Sequence, residues 1–234
     1  MRGTWKNVGK VARMIAVLLA LVKGWTMAAS DPKDERSALE QDPKGWIDLL
    51  ASAGPELDGW SRKPVPADAL LDPKSQWALN PATGYLVCQG DSGHEWLRLD
   101  QVLIDYIFHV EWRFTPVAGK KGYDSGVYVR NSSDGKMWHQ AQCGDASGGY
   151  LFGETLSAYE MKPFDLKGEM QAERVKPAGE WNTYELTCKE RSVTLWVNGG
   201  VTNQWKNCQV PRGYLGLAAR GWRIEFRNVK FKIL

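Results

Sequence analysis

The sequence predicts an antiparallel all-β fold, a sandwich or a barrel. From Gly45 onward short runs rich in Trp, Tyr, Val, Leu and Phe recur; Gly, Asn, Asp and Pro separate them; and no long segment holds a helical period. Twelve Trp, 24 Gly and 11 Pro in 234 residues fit frequent turns between aromatic-rich strands, and 43% apolar positions suffice for one sizeable core. Candidate strands fall at residues 46–50, 77–79, 84–89, 96–99, 104–115, 125–130, 137–143, 150–152, 181–189, 192–197, 214–219 and 222–232. Asn198-Gly199 between two alternating runs is the signature of a type I′ hairpin. No internal repeat is visible, and the β region reads as a single domain, 45–234.

The first thirty residues have a different character. Arg2, Lys6, Lys10 and Arg13 make a basic flank, residues 14–22 (MIAVLLALV) are apolar, and the small residues Ala28, Ala29 and Ser30 follow. This is the three-part layout of a secretory signal peptide at 1–30, with cleavage near Ala28. Nine apolar residues are too few for a membrane span of about 20, so no stable membrane anchor is expected after cleavage, and the expected location is periplasmic or secreted. Residues 31–44 carry two Asp-Pro breaks and read as a polar linker or a short frayed helix.

The leader also distorts the charge. Its five basic residues, Lys23 included, removed from 30 leave 25 against 27 acidic residues, a net charge of −2. So balanced a chain has no general attraction for nucleic acid, which is excluded as a partner. Four cysteines remain, Cys88, Cys143, Cys188 and Cys208. Three disulfide connectivities are open; Cys188–Cys208 is favoured because the two flank a hairpin, while Cys88 and Cys143 read equally as buried thiols. The histidines are not spaced with cysteines as zinc ligands, no D-x-D-x-D loop argues for Ca²⁺, and no cofactor is expected.

Alternation locates the candidate chemistry. Along 108–114, Glu111 and Arg113 face away from Phe108, Val110, Trp112 and Phe114. In the next strand Tyr128 and Arg130 oppose Val127 and Val129. In the third, Trp138, Gln140 and Gln142 oppose His139, Ala141 and Cys143. If these strands adjoin, Glu111, Arg113, Tyr128, Arg130, Gln140 and Gln142 form one polar patch beside Trp138. Planar hydrogen-bonding groups next to an aromatic face suit a saccharide.

The segments GWIDLL from Gly45, LDGW ending at Trp60, GYLVCQG from Gly84 and HVEWRF from His109 continue with YDSGVYVR ending at Arg130 and QAQCGD from Gln140. GEWNTYEL from Gly179, LWVNG ending at Gly199 and the final IEFRNVKFKIL complete the series. In this order they resemble the DUF1080 group, the 3-keto-disaccharide hydrolase domain of the concanavalin A-like lectin/glucanase superfamily. The resemblance implies a jelly-roll sandwich of two antiparallel sheets with the ligand site on the concave one. It further implies hydrolysis of glycosides already oxidised at C3, by elimination and hydration. Its motifs fall on Glu111, Trp112 and Arg113; on Asp124, Ser125, Gly126 and Arg130; and on Gln140, Gln142 and Asp145. Asp124 stands where the family has Asn, and Gln140 where it has Glu, which an amide cannot replace as base or nucleophile. The expected catalytic residues are therefore Glu111, Asp145 and Arg113. Asp124, Tyr128, Arg130, Trp138, Gln140 and Gln142 are expected to bind substrate. Asp124, Glu154 and His139 are further sources of a base. A non-catalytic carbohydrate-binding module on the same scaffold is the alternative.

Overall fold

A computed structural model describes residues 35–234, so the expected signal peptide at 1–30 lies outside the described residues. The chain begins with one helical turn, α1 (Ala38–Gln41), and continues through fifteen strands. They are β1 (Ile47–Asp48), β2 (Trp60–Pro64), β3 (Trp77–Leu79), β4 (Leu86–Cys88), β5 (Glu95–Leu99), β6 (Tyr106–Phe114), β7 (Asp124–Asn131) and β8 (Trp138–Gly144). They continue with β9 (Leu151–Ser157), β10 (Glu160–Asp165), β11 (Asn182–Lys189), β12 (Ser192–Val197), β13 (Gly200–Trp205), β14 (Tyr214–Ala219) and β15 (Ile224–Ile233). A 3-10 turn at Lys167–Glu169 separates β10 from β11. No helix among the described residues is long and apolar enough to cross a membrane.

All pairings are antiparallel and build two sheets. One runs β13-β12-β11-β6-β15-β4-β3, with β1 joining β15; the other runs β10-β9-β8-β7-β14-β5-β2. This is the two-layer sandwich that the alternating strands predict. The inner faces interdigitate as one core: Phe108, Val110, Trp112 and Phe114 of β6 meet Val127, Val129, Ala141 and Cys143 of β7 and β8, all nearly inaccessible to water. The 198–199 turn between β12 and β13 has positive φ at both residues (43° and 98°), as the Asn-Gly signal requires.

Three strands absent from the sequence reading, β2, β10 and β13, are all sheet edges. An edge strand needs a partner on one side only and tolerates polar residues and proline. β10 carries Pro163 and has no fully buried residue, so it has no hydrophobic period to detect. The Cys188–Cys208 pairing is not formed: all four cysteines are free and buried. Burial pushes the Cys188 thiol up to about 12.

Arg130 departs from the expected alternation. Val129 and Arg130 together oppose Leu215 in the β7–β14 pairing, a bulge at which Arg130 takes φ 54°. The extra residue turns the side chain inward, and Arg130 is 0% exposed. Its guanidinium donates to the carbonyls of Glu190 (2.7 Å), Val210 (3.1 Å) and Ile104 (3.3 Å) and lies 3.4 Å from Asp105 Oδ1. It ties three loops together and takes no part in an exposed patch, which corrects its expected role in substrate binding. His139 also points inward, its ring tilted against Phe164 and Trp205, with Nδ1 3.2 Å from the Val129 carbonyl and Nε2 3.0 Å from Thr155 Oγ1. A carbonyl only accepts, so Nδ1 carries the hydrogen and Nε2 accepts from the hydroxyl. Both nitrogens are committed, which leaves no free position for catalysis.

Two outcomes are expected. Arg130→Met leaves buried carbonyls unpaired and should lower the unfolding free energy by about 3 kcal/mol in urea titrations. Burial holds His139 at about 4 in the folded chain, against an ordinary value near 6.5. The unfolded chain therefore takes up this proton first. Stability should be full above pH 6.5, fall by about 3 kcal/mol between pH 6.5 and 4, and level off below. Denaturation of His139→Gln across that range should lack this limb.

Candidate functional site

β7 and β8 adjoin as expected, with Tyr128 opposite Gln140 and Gly126 opposite Gln142. Up to the bulge at Arg130, their even-numbered side chains leave the core and face outward. On the same face β5 contributes Trp96, β9 contributes Phe152 and Glu154, and Arg220 follows β14. Four aromatic rings meet edge to face in a continuous chain. Trp96 and Tyr128 are 5.5 Å apart between centroids, Tyr128 and Trp138 6.4 Å, and Trp138 and Phe152 5.2 Å. They wall a cleft of about 380 Å³, closed by Val65, Pro66, Lys136, Glu154 and Arg220.

Glycine at two positions makes this surface possible. The Trp96 indole lies against Gly216, and the Gln140 side chain lies across Gly126; a Cβ at either place would fall inside those groups. The second packing starts a polar relay. Gln140 Nε2 donates to Gln142 Oε1 (2.8 Å), Gln142 Nε2 donates to Asp124 Oδ1 (2.8 Å), and Arg220 Nε donates to Asp124 Oδ2 (2.8 Å). Both Asp124 oxygens are thus occupied. Gln140 Oε1 is buried without a hydrogen-bond partner. Burial pushes the Tyr128 phenol up to about 12, so it stays protonated near neutral pH and keeps an O–H to donate. Glu154 is exposed at the cleft, and its carboxylate makes no hydrogen bond or ion pair to a described residue. The face therefore combines a stacking platform, a guanidinium, a phenolic donor and one unengaged carboxylate.

Of the nine residues expected at the site, Tyr128 and Trp138 line the cleft, while Asp124, Gln140 and Gln142 share the face and reach the lining through the chain of hydrogen bonds that ends at Arg220. Glu111 and Arg113 do not join them. β6 lies in the other sheet, and their side chains emerge on that sheet's outer face, across the core from the cleft. There Arg227 donates to Glu111 Oε2 (2.7 Å) and Asn228 to Oε1 (2.5 Å). Burial opposes ionisation of Glu111, yet these donors and His109 hold its carboxyl at about 2. Arg113 pairs with Glu225 (2.8 Å) and lies over the Trp181 ring. Asp145 sits in the turn after β8, outside the cleft lining. Trp96, Phe152 and Arg220 were not anticipated. The first two alternate with core residues and could have been read from the pleat; Arg220 follows an Ala-Ala pair and carries no local signal. Among the described residues no group of three or more His, Cys, Asp or Glu side chains is arranged to hold a metal ion.

A family model described as the 3-keto-alpha-glucoside-1,2-lyase-like domain matches residues 45–232. No curated protein matches the chain. A solved structure of a candidate glycosyl hydrolase from Parabacteroides distasonis is similar at 17% identity and TM-score 0.57, covering 86% of this chain and 100% of that one. The carbohydrate-binding module CBM66 from Bacillus subtilis superposes at 12% identity and TM-score 0.53, covering 74% and 95%. The Emp47p carbohydrate recognition domain does so at 16% identity and TM-score 0.50, covering 81% and 95%. At such identities these likenesses establish the shared jelly-roll fold.

Gly126→Ala tests the relay. The added methyl must displace the Gln140 amide and should cost about 1–3 kcal/mol in chemical denaturation, with the sandwich retained by circular dichroism.

Proposed function

We propose, for a chain that belongs to the 3-keto-alpha-glucoside-1,2-lyase-like domain family, an exported carbohydrate-active enzyme that cleaves the glycosidic bond of 3-keto-glycosides in the Trp96–Phe152 cleft. The observation that carries this reading is the coincidence, on one sheet face, of an aromatic platform, the Arg220 guanidinium and the unengaged Glu154 carboxylate. Export rests on the basic, apolar and small-residue succession of residues 1–30.

A ketone at C3 acidifies the hydrogen on C2. Glu154 takes that proton, the C2 electron pair forms the C1–C2 double bond, and the C1–O bond to the aglycon breaks. Negative charge developing on the C3 oxygen is stabilised by Arg220, which Asp124 holds in orientation. Tyr128, kept protonated by burial, donates to the departing oxygen. Water then adds across the double bond: its hydroxyl bonds to C1, its proton restores the Tyr128 phenol, and Glu154 returns its proton to C2. Trp138 stacks on the apolar face of the sugar ring, and the relay from Gln140 through Gln142 keeps Asp124 beside Arg220. In this scheme Gln140 positions and need not act as a base, so the amide in place of the family's carboxylate is compatible with turnover.

A binding-only role has one observation in its favour: Asp124 has both oxygens engaged, and Gln140 is an amide, which leaves Glu154 as the single ready carboxylate. Incubation with a 3-keto-disaccharide separates the two. The parent protein should release free sugar, Glu154→Gln should reduce kcat by at least about 100-fold, and Trp138→Ala should act mainly on KM. Saturable binding of an unoxidised sugar with no release from the keto substrate would replace the enzyme by a binding module.

A further inference from the structure

The outer face of the β6 sheet carries a second constellation that the cleft does not use. Trp196 pairs across the sheet with Glu185, and Glu185 with His109; in the neighbouring row Thr183 pairs with Glu111, and Glu111 with Arg227. Glu185 also accepts the backbone N–H groups of Ala38 (2.6 Å) and Leu39 (3.1 Å), which seats α1 against this face. His109 is 2% exposed, with Nδ1 2.8 Å from Glu185 Oε1. A carboxylate only accepts, so Nδ1 carries the hydrogen, and in the neutral ring Nε2 is a lone-pair acceptor. That nitrogen has no hydrogen-bond partner and lies 3.8 Å from Glu111 Oε1, beyond hydrogen-bonding distance. His109 and Glu111 border a cavity of about 480 Å³ whose walls include Glu35, Glu40, Trp196 and Lys176.

Two acceptors facing the same space call for a donor with more than one hydrogen. With Glu111 paired to Arg227, the wall carboxylates Glu35 and Glu40 still outnumber the single Lys176, which favours positive charge, and Trp196 stands on the same wall as an aromatic neighbour for a cation. A neutral hydroxyl supplies one hydrogen and no charge. We propose that this pocket binds a primary ammonium group, seated between His109 Nε2 and the Glu111 carboxylate. An amino sugar and a lysine side chain are the two sources of that chemistry, and the site is independent of the glycoside cleft.

The geometry couples this ligand to pH. His109 is faced by Glu185 from β11, by Glu111 from its own strand, by Arg227 and Lys230 from β15, and by Glu40 from α1; Arg227 is paired with Glu111 and Lys230 with Asp48. Burial opposes protonation of His109, but Glu111 and Glu185 together raise its pKa above the ordinary value. Once protonated, the imidazolium supplies the positive charge itself and repels the ammonium. Affinity should therefore rise as pH increases through the His109 titration.

The test is a titration of histidine-¹⁵N-labelled protein with glucosamine and with Nα-acetyl-lysine amide, using N-acetylglucosamine and glucose as uncharged controls. The proposal expects a saturable shift of the His109 Nε2 resonance with at least one ammonium probe and none with the controls. It also expects up to about tenfold weaker binding per pH unit below the His109 pKa. Which probe responds identifies the source. Glu111→Gln should weaken binding at least tenfold, and Trp196→Leu on the cavity wall serves if the first variant fails to fold. No shift with either ammonium probe, or an equal shift with glucose, overturns the proposal.

Discussion

A pleated strand has two faces, and in this molecule one of them is always taken by the core between the sheets. Every functional side chain must therefore emerge on the outer face of its own sheet. Which sheet a strand joins decides which surface its polar residues line. β6, β7 and β8 follow one another in sequence, yet the chain crosses the sandwich between β6 and β7. Glu111 and Arg113 are thereby sent to one outer surface while Tyr128, Trp138, Gln140 and Gln142 reach the other. Burying Phe108, Val110, Trp112 and Phe114 against Val127, Val129 and Ala141 enforces the split, because moving β6 to the other side would expose that apolar row to water.

The two surfaces solve different problems. The cleft face is aromatic, and its few polar groups are chained so that each fixes the next: Gln140 to Gln142, Gln142 to Asp124, Asp124 to Arg220. That arrangement suits a neutral, partly apolar ligand presented to one guanidinium and one free carboxylate. On the opposite face Glu111 and Arg113 have cationic or anionic partners from β15, and Trp181 receives both Arg113 and Arg227 on its ring. Charge is compensated there almost everywhere except around His109 Nε2.

The bulge at Val129 and Arg130 links stability to the site. Without the extra residue, Arg130 would emerge beside Tyr128. With it, the guanidinium enters the molecule and binds carbonyls from segments distant in sequence. An arginine spent on architecture leaves the cationic role in the cleft to Arg220, which arrives from β14 on the other side of β7.

Much of the molecule was legible before any coordinates. Strand positions along the central strands, the Asn-Gly turn, the inward-facing His139 and the outward-facing Trp138, Gln140 and Gln142 all follow from a period of two, a property of the local backbone. The edge strands β2, β10 and β13 escaped because one-sided pairing relaxes the demand for apolar residues. Arg130 escaped because a single-residue bulge reverses the alternation without leaving a mark in composition. The membership of the cleft was decided by the tertiary structure alone. Strand neighbours are chosen by long-range packing of the two sheets, and nothing in the order of residues along β6, β7 and β8 records that the chain changes sheets between the first and the second.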